Sequence, residues 1–423
     1  MRQTKFLIPC VLAVLLLAGC GGAAAPAEVV DLRLGVDTGM SPPIIQVLGE
    51  AVTDWNAAQP EIQITLEAVP EYWVKIPSAF AAGTAPDILY DTVTETTSTF
   101  AELGMYLSLD DYITNSEAIS PDDLYEGVWA TSSWMGHTWV LPYNWNDLGV
   151  VYNKDMFDQA GVPYPTAGWT WDEFLSTAKA LTLDTNGDGT LDQFGFYADS
   201  WPFYGVFPFI WSNGGELLSA DKSEAIGDGP EAMEAVTFYV DLVRKEHVAP
   251  TGPELGENPD PFATGLVAMQ LVRSWAPATY KEIAPNLNYG VTSIPMKVAR
   301  INYFEGSGFG INSKSAYPDQ AWQFLEFLMS DGHQMKMAEL QVYFPGSKSV
   351  LESVSWNEPM QGFLAEAQYG RDVMVVSQWE TLTSNWFFWL GTALGGVDPI
   401  DLPADVAAIQ DSCTAELAKH PNK

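Results

Sequence analysis

The sequence predicts an α/β layered fold with parallel strands, and three observations lead there. Short runs with alternating apolar residues take turns along the chain with longer stretches of helical period. Proline or glycine separates the two kinds. Apolar residues make up 47% of the 423 residues against 17% charged, enough for well-cored domains, two or three by length. Residues 29–36 (VVDLRLGV) alternate and read as a strand. Residues 44–59 place Ile44, Val47, Leu48, Ala51, Val52 and Trp55 on one helical face, stopped by Pro60. Residues 62–69 (IQITLEAV) alternate again, 73–82 form a helix closed by Gly83, and 88–90 (ILY) are a short buried strand. Further helices are read at 171–183, 230–246, 319–329 and 404–417.

Composition removes several function classes. Acidic residues outnumber basic ones 54 to 19, a formal net charge of −35 that repels nucleic acid and anionic membrane surfaces. Three cysteines (Cys10, Cys20, Cys413) and four scattered histidines make neither a disulfide framework nor zinc-ligand spacing. The first residues stand outside the fold: Arg2 and Lys5 precede an apolar run, 6–18, too short to span a bilayer comfortably. That run ends in Leu17-Ala18-Gly19-Cys20, similar to the processing box of bacterial lipoproteins, in which the cysteine thiol is lipidated and becomes the first mature residue. The expectation is a signal peptide over 1–19, a lipid on Cys20, a flexible tether over 20–28 and a location outside the cytoplasmic membrane, held to it only by the lipid.

Several later blocks, in this order, carry a resemblance. They are 54–62 (DWNAAQPEI), 79–88 (AFAAGTAPDI), 141–146 (LPYNWN) with 151–157 (VYNKDMF), 169–174 (WTWDEF), 293–296 (SIPM), 306–311 (GSGFGI) and 321–325 (AWQFL). Together, over roughly residues 30–350, the chain resembles the extracellular sugar-binding proteins of bacterial ABC importers, the maltose-binding-protein-like family; the last seventy residues match poorly. The resemblance implies a two-lobed periplasmic-binding-protein-like fold of type II, with parallel-sheet lobes and ligand in the cleft. It places one lobe at 29–144 plus 304–350 and the other at 145–303 plus 351–423. It also implies a monomer that hands a mono- or oligosaccharide to membrane permease subunits.

Sugar recognition needs flat aromatic faces and planar polar groups. The resemblance puts Asn144, Trp145 and Asn146 at the cleft, Asn146 standing where the maltose-binding protein has a glutamate. Trp275 falls at a stacking tryptophan, after Arg273-Ser274, and Tyr204 at a stacking tyrosine ahead of 207–215 (FPFIWSNGG). Trp201 and Trp211 flank Tyr204, one of them read as core. Asp91 follows a strand's carboxyl end, where open α/β sheets bind ligands. Tyr72 and Trp73 stand at a helix start on the same side, and Gly306 opens the 306–311 block. Trp379 and Trp386, in the poorly matched tail, could close the cleft, but helix packing is the first reading.

Residues 184–192 (DTNGDGTLD) fit the front of an EF-hand-type calcium loop, with Asp184, Asn186 and Asp188 alternating, Thr190 offering its carbonyl and Asp192 nearby. Gly195 occupies the twelfth position, where a bidentate glutamate belongs. A structural calcium remote from the sugar is one reading, an Asx-rich turn the other. No cofactor is expected. Two other functions compete with the binding module: a secreted glycoside-active enzyme, which needs two carboxylates across a sugar site, and a receptor for a non-sugar solute, for which Arg273 is the candidate charge partner.

Overall fold

The structure is a computed structural model and describes residues 29–92, 96–371 and 376–419. The signal segment, Cys20 and the tether lie outside the described residues. Among the described residues no helix is long and apolar enough to cross a membrane.

Residues 30–92 fold as their periodicity predicts. Val30–Asp37, Ile62–Val69 and Ile88–Thr92 are strands, and Pro42–Ala58 and Tyr72–Ala82 are the helices between them. The first helix buries the six residues of its apolar face, from Ile44 to Trp55. The second ends at Gly83, whose φ of 72° lies in the left-handed region open to a residue without a Cβ. Val30–Asp37 pairs in parallel with both other strands. The sheet then continues with strands from far along the chain, in the order Phe344–Pro345, Leu141–Asn146, Glu305–Ile311, Ile88–Thr92, Val30–Asp37, Ile62–Val69.

A second sheet has three strands, Met269–Arg273, Leu148–Asn153 and Tyr289–Thr292, with Leu148–Asn153 in the middle. The chain passes from one sheet to the other at Asp147 and returns between Tyr303 and Glu305. The strand Leu141–Asn146 thus belongs entirely to the large sheet, so the first crossing falls three residues after the boundary read at 144. Strand direction also differs from the expectation. Glu305–Ile311 runs antiparallel to both of its neighbours, and the small sheet is antiparallel throughout. A strand that enters a sheet from the other lobe is not bound to the parallel sense of a local strand–helix–strand unit.

Each lobe has its own core, one around the large sheet and one around the helices that pack on the small sheet. The poorly matched tail completes the latter: Trp379–Leu394 and Leu402–Leu417 bury Leu382, Trp386, Leu390, Val406 and Cys413 there. A third apolar cluster joins Trp145 and Phe344 of the large sheet to Val151 and Val272 of the small one, beneath the crossing.

Candidate functional site

At the crossing, one guanidinium gathers both connecting segments. Arg273 ends a strand of the small sheet and is 2% exposed. It donates to Asn146 Oδ1 at 2.9 Å and to the Tyr303 hydroxyl at 2.6 Å, and it pairs with Glu305 at 2.5 Å. Its flat face lies 5.0 Å from the Tyr204 ring centroid and 4.8 Å from that of Tyr303. Beside it, Asp147 is fully buried and takes a bond from the Asn302 amide at 3.2 Å. Burial, with Glu366 adding to it and Arg273 opposing, pushes the Asp147 carboxyl well above the ordinary carboxylate range.

Two cavities open along the seam between the lobes. The first, about 380 Å³, is bounded by Gly39, Ser41, Pro42, Pro43 and Tyr343 of the large-sheet lobe and by Trp275, Thr279 and Glu282 of the other. The loop 38–41 follows the carboxyl end of the strand Val30–Asp37, the edge at which such sheets hold ligands. The second cavity, about 190 Å³, is bounded by Trp73, Thr92 and Thr96 on one side and by Trp201, Trp379, Glu380 and Thr383 on the other. Next to it the Thr99 hydroxyl donates to the Ser377 carbonyl at 2.9 Å, joining the lobes. Tyr204 donates its backbone N–H to the carbonyl of Trp201, a wall of the smaller cavity, at 3.0 Å, and its ring lies against Arg273.

Residues 41–335 match the family model of the bacterial extracellular solute-binding proteins. The chain belongs to that family. A binding protein of Brucella abortus is 28% identical over 374 residues, 85% of this chain and 87% of that one. The maltotriose-binding protein of Pyrococcus abyssi is 23% identical over 407 residues, 90% of this chain and 81% of its own. Among solved structures, an ABC substrate-binding protein from Listeria monocytogenes in complex with cycloalternan superimposes with a TM-score of 0.81 at 22% identity, over 92% of this chain and 100% of that one. The fold is the two-lobed α/β fold of type II.

The structure divides the cleft residues predicted for this solute-binding protein into two sets. Trp73, Trp201 and Trp275 line the two cavities, and Tyr204 lies half-buried on the seam. The others are interior. Trp145 is 0% exposed, packed on Phe344, Tyr125 and Phe304, with its Nε1 donating to the Pro345 carbonyl at 2.8 Å. Its strand is buried on both faces, so position before the crossing does not make it a cleft wall. Asn144 accepts from the Ser307 hydroxyl at 3.0 Å, and Asn146 is taken by Arg273. Tyr72 is buried with its hydroxyl on the Tyr90 carbonyl at 3.0 Å, and Trp211 is core beneath Arg371. At Gly306 a Cβ would stand 2.3 Å from the Asn144 carbonyl oxygen, so the glycine serves close strand pairing and not ligand contact.

Asp91 also points inward. It is 0% exposed and accepts from the hydroxyls of Tyr106, Thr97 at 2.8 Å and Thr96 at 3.0 Å. Burial outweighs these bonds and raises its carboxyl to about 6. The unfolded chain releases that proton near pH 4. Between about pH 4 and 6 the folded state therefore holds a proton that the unfolded state has lost, and this contribution to stability falls as pH rises. Asp91→Asn is expected to remove on the order of 2–3 kcal/mol of pH dependence across that window, at about 1.4 kcal/mol per pKa unit. Urea midpoints of both proteins at pH 4 and pH 7 measure it; parallel pH profiles would contradict it.

The 184–192 loop satisfies itself. Asp184 accepts from the backbone N–H groups of Gly187, Asp188 and Gly189, Asn186 from that of Asp188, Asp188 from that of Thr190, and Asp192 from that of Thr185. At Gly195 the Ala178 carbonyl oxygen lies 2.1 Å from where a Cβ would be, so no ligating side chain fits at the twelfth position. Among the described residues no group of three His, Cys, Asp or Glu side chains is arranged to hold a metal ion. The donor set fits the Asx-rich turn better than calcium. Chelation with EGTA is expected to leave the melting temperature unchanged; a drop of several degrees would assign an ion to the loop.

The sequence reading missed Tyr343, Glu282, Thr92, Thr96, Glu380 and Thr383, and it assigned Trp379 to packing. The residues 39–43 carried a usable signal, because they follow the first strand's carboxyl end. The tail carried none, since its helical period says which face is buried but not which helix start reaches a cavity.

Proposed function

We propose that the protein is a lipid-tethered receptor that closes on a neutral saccharide between its lobes and delivers it to an ABC permease, without chemical turnover. The observation that carries this reading is the pair of cavities, each walled from both lobes and each bearing tryptophan beside hydroxyl and carboxylate groups. Flat apolar faces suit the C–H side of a pyranose, and the polar groups suit its hydroxyls. Arg273 is already paired with Glu305 and capped by two tyrosines, which argues against its serving as the counter-ion of an anionic solute. The ligands named for the compared proteins, maltotriose and cycloalternan, are saccharides as well.

Glycoside hydrolysis needs two carboxylates facing one bond. Each cavity has a single carboxylate among its described lining residues, Glu282 in one and Glu380 in the other. Thermal-shift screening of the purified protein against a sugar panel tests the binding reading, because a ligand selective for the native state raises the melting temperature. Appearance of new reducing ends on incubation with oligosaccharides would instead favour an enzyme.

The anchor is tested separately. Cys20→Ala, expressed in a bacterial host, is expected to yield a protein without lipid, released or misprocessed. An intact mass showing free Cys20 in the wild type would refute the anchor.

A further inference from the structure

We infer that the lobes turn about Phe304, and that Gly127 on one lobe and Gly370 on the other are the seats between which its ring is held. This rests on the closing receptor proposed above and names the residue on which it closes. Each strand crossing leaves a single residue for the turn. On the outgoing crossing, Asn146 is still paired with Glu305 in the large sheet, and Leu148 already stands opposite Arg273 in the small one. On the return, Asn302 and Tyr303 pair in parallel with Gly370 and Arg371, and Glu305 is back in the large sheet. The Asn302 side chain accepts from the Leu148 N–H at 3.1 Å and donates to the Leu148 carbonyl at 2.9 Å, as a neighbouring strand would. The crossings are thus fastened to each other on the small-sheet side, and Asp147 and Phe304 remain to absorb a change of angle. Of these, Asp147 is held as well, its carbonyl accepting from the Ser274 N–H at 3.2 Å. The third connection, residues 354–357, lies outside every strand and helix and follows the other two.

The second observation is the space around the ring. Phe304 is 4% exposed and meets Trp145 of the large sheet edge-on, with centroids 5.2 Å apart. A Cβ on Gly127, in the helix Glu126–Thr131 of the large-sheet lobe, would stand 2.5 Å from Cδ2 of that ring. A Cβ on Gly370, in the small-sheet lobe, would come nearer still to its Cε2. Gly127 lies inside a helix and Gly370 has a φ of −58°, so neither backbone requires glycine. What both provide is room. Bare backbone on each side lets a flat ring rest on two lobes at once, without side chains that interlock and fix the angle. In the arrangement seen, the lobes touch where the Thr99 hydroxyl meets the Ser377 carbonyl, so a group added at either seat strains this arrangement and forces the cleft wider.

The test joins small-angle X-ray scattering of the ligand-free protein to calorimetry with a saccharide that raises its melting temperature. Gly370→Ala is expected to shift the ligand-free profile toward a wider lobe angle. It is also expected to weaken binding about 5- to 150-fold, the affinity equivalent of ordinary overpacking strain borne by the closed arrangement alone. Adding Phe304→Leu, whose shorter side chain makes way for the new methyl, is expected to restore the profile and bring affinity to within about 3-fold of the wild type. Phe304→Leu alone, with both glycines in place, is expected to loosen the angle and enlarge the radius of gyration without ligand. A folded Gly370→Ala with wild-type profile and affinity overturns the pivot, and so does a double variant that recovers neither. Should Gly370→Ala not fold, Phe304→Leu decides, and a ligand-free profile equal to the wild type's overturns the assignment. If no saccharide stabilises the wild type, the saccharide reading falls, while the ligand-free profiles still decide the pivot.

Discussion

Trp145→Ala is expected to lower the stability of the free protein by about 3–5 kcal/mol, the usual cost of emptying a tryptophan-sized space in a packed interior. The ring sits where the sheets meet, with centroids of Phe344, Tyr125 and Phe304 at 4.6, 5.0 and 5.2 Å. Removing it opens a cavity in the apolar cluster that ties the lobes and leaves the Pro345 carbonyl without its donor. Urea unfolding of the ligand-free protein measures the loss. A midpoint equal to that of the wild type would mean that the ring is dispensable to the core.

Trp275→Ala is expected to do the opposite, keeping the fold and weakening ligand binding roughly 5- to 150-fold. Trp275 stands at the start of the helix Ala276–Ile283, partly exposed on the larger cavity. An aromatic face on a sugar is worth on the order of 1–3 kcal/mol, and about 1.4 kcal/mol is a factor of ten in affinity. Because the facing wall, Gly39 to Pro43 and Tyr343, comes from the other lobe, the stack is complete only when both lobes bound the ligand. The contact therefore favours the closed state over the open one, and that difference is what shifts the population. Calorimetry with a stabilising saccharide decides it, and unchanged affinity would remove Trp275 from the site.

The first part of the large-sheet lobe, residues 30–92, was legible in the chain because its strands and helices follow one another locally. The predicted helices at 44–59 and 73–82 lie within two residues of Pro42–Ala58 and Tyr72–Ala82. The antiparallel strands were not legible, since Glu305–Ile311 pairs with residues over 150 positions away and nothing local encodes its direction. Trp73, Trp201 and Trp275 line the seam cavities, whereas Trp145 and Asn146 are interior for a common reason. Motif position says which segment approaches the cleft, but burial on both sheet faces and the guanidinium of Arg273 decide which side chains reach it. Trp379 was read first as helix packing, with closure of the cleft as the other reading; its ring packs in the core and also borders the smaller cavity.

The order of the large sheet also has a consequence for how the chain leaves the ribosome. Among the described residues, Leu141–Asn146 pairs only with Glu305–Ile311 and Phe344–Pro345, and Glu305–Ile311 fills the gap beside Ile88–Thr92. Until residue 311 has been made, the middle of that sheet is missing, and strand 141–146 has no partner. At about 5–20 residues per second the delay is on the order of 10–30 s. During it the nascent polypeptide cannot complete its first lobe and stays pliable enough to thread an export channel. For a chain of an extracellular family, late closure keeps translocation ahead of folding.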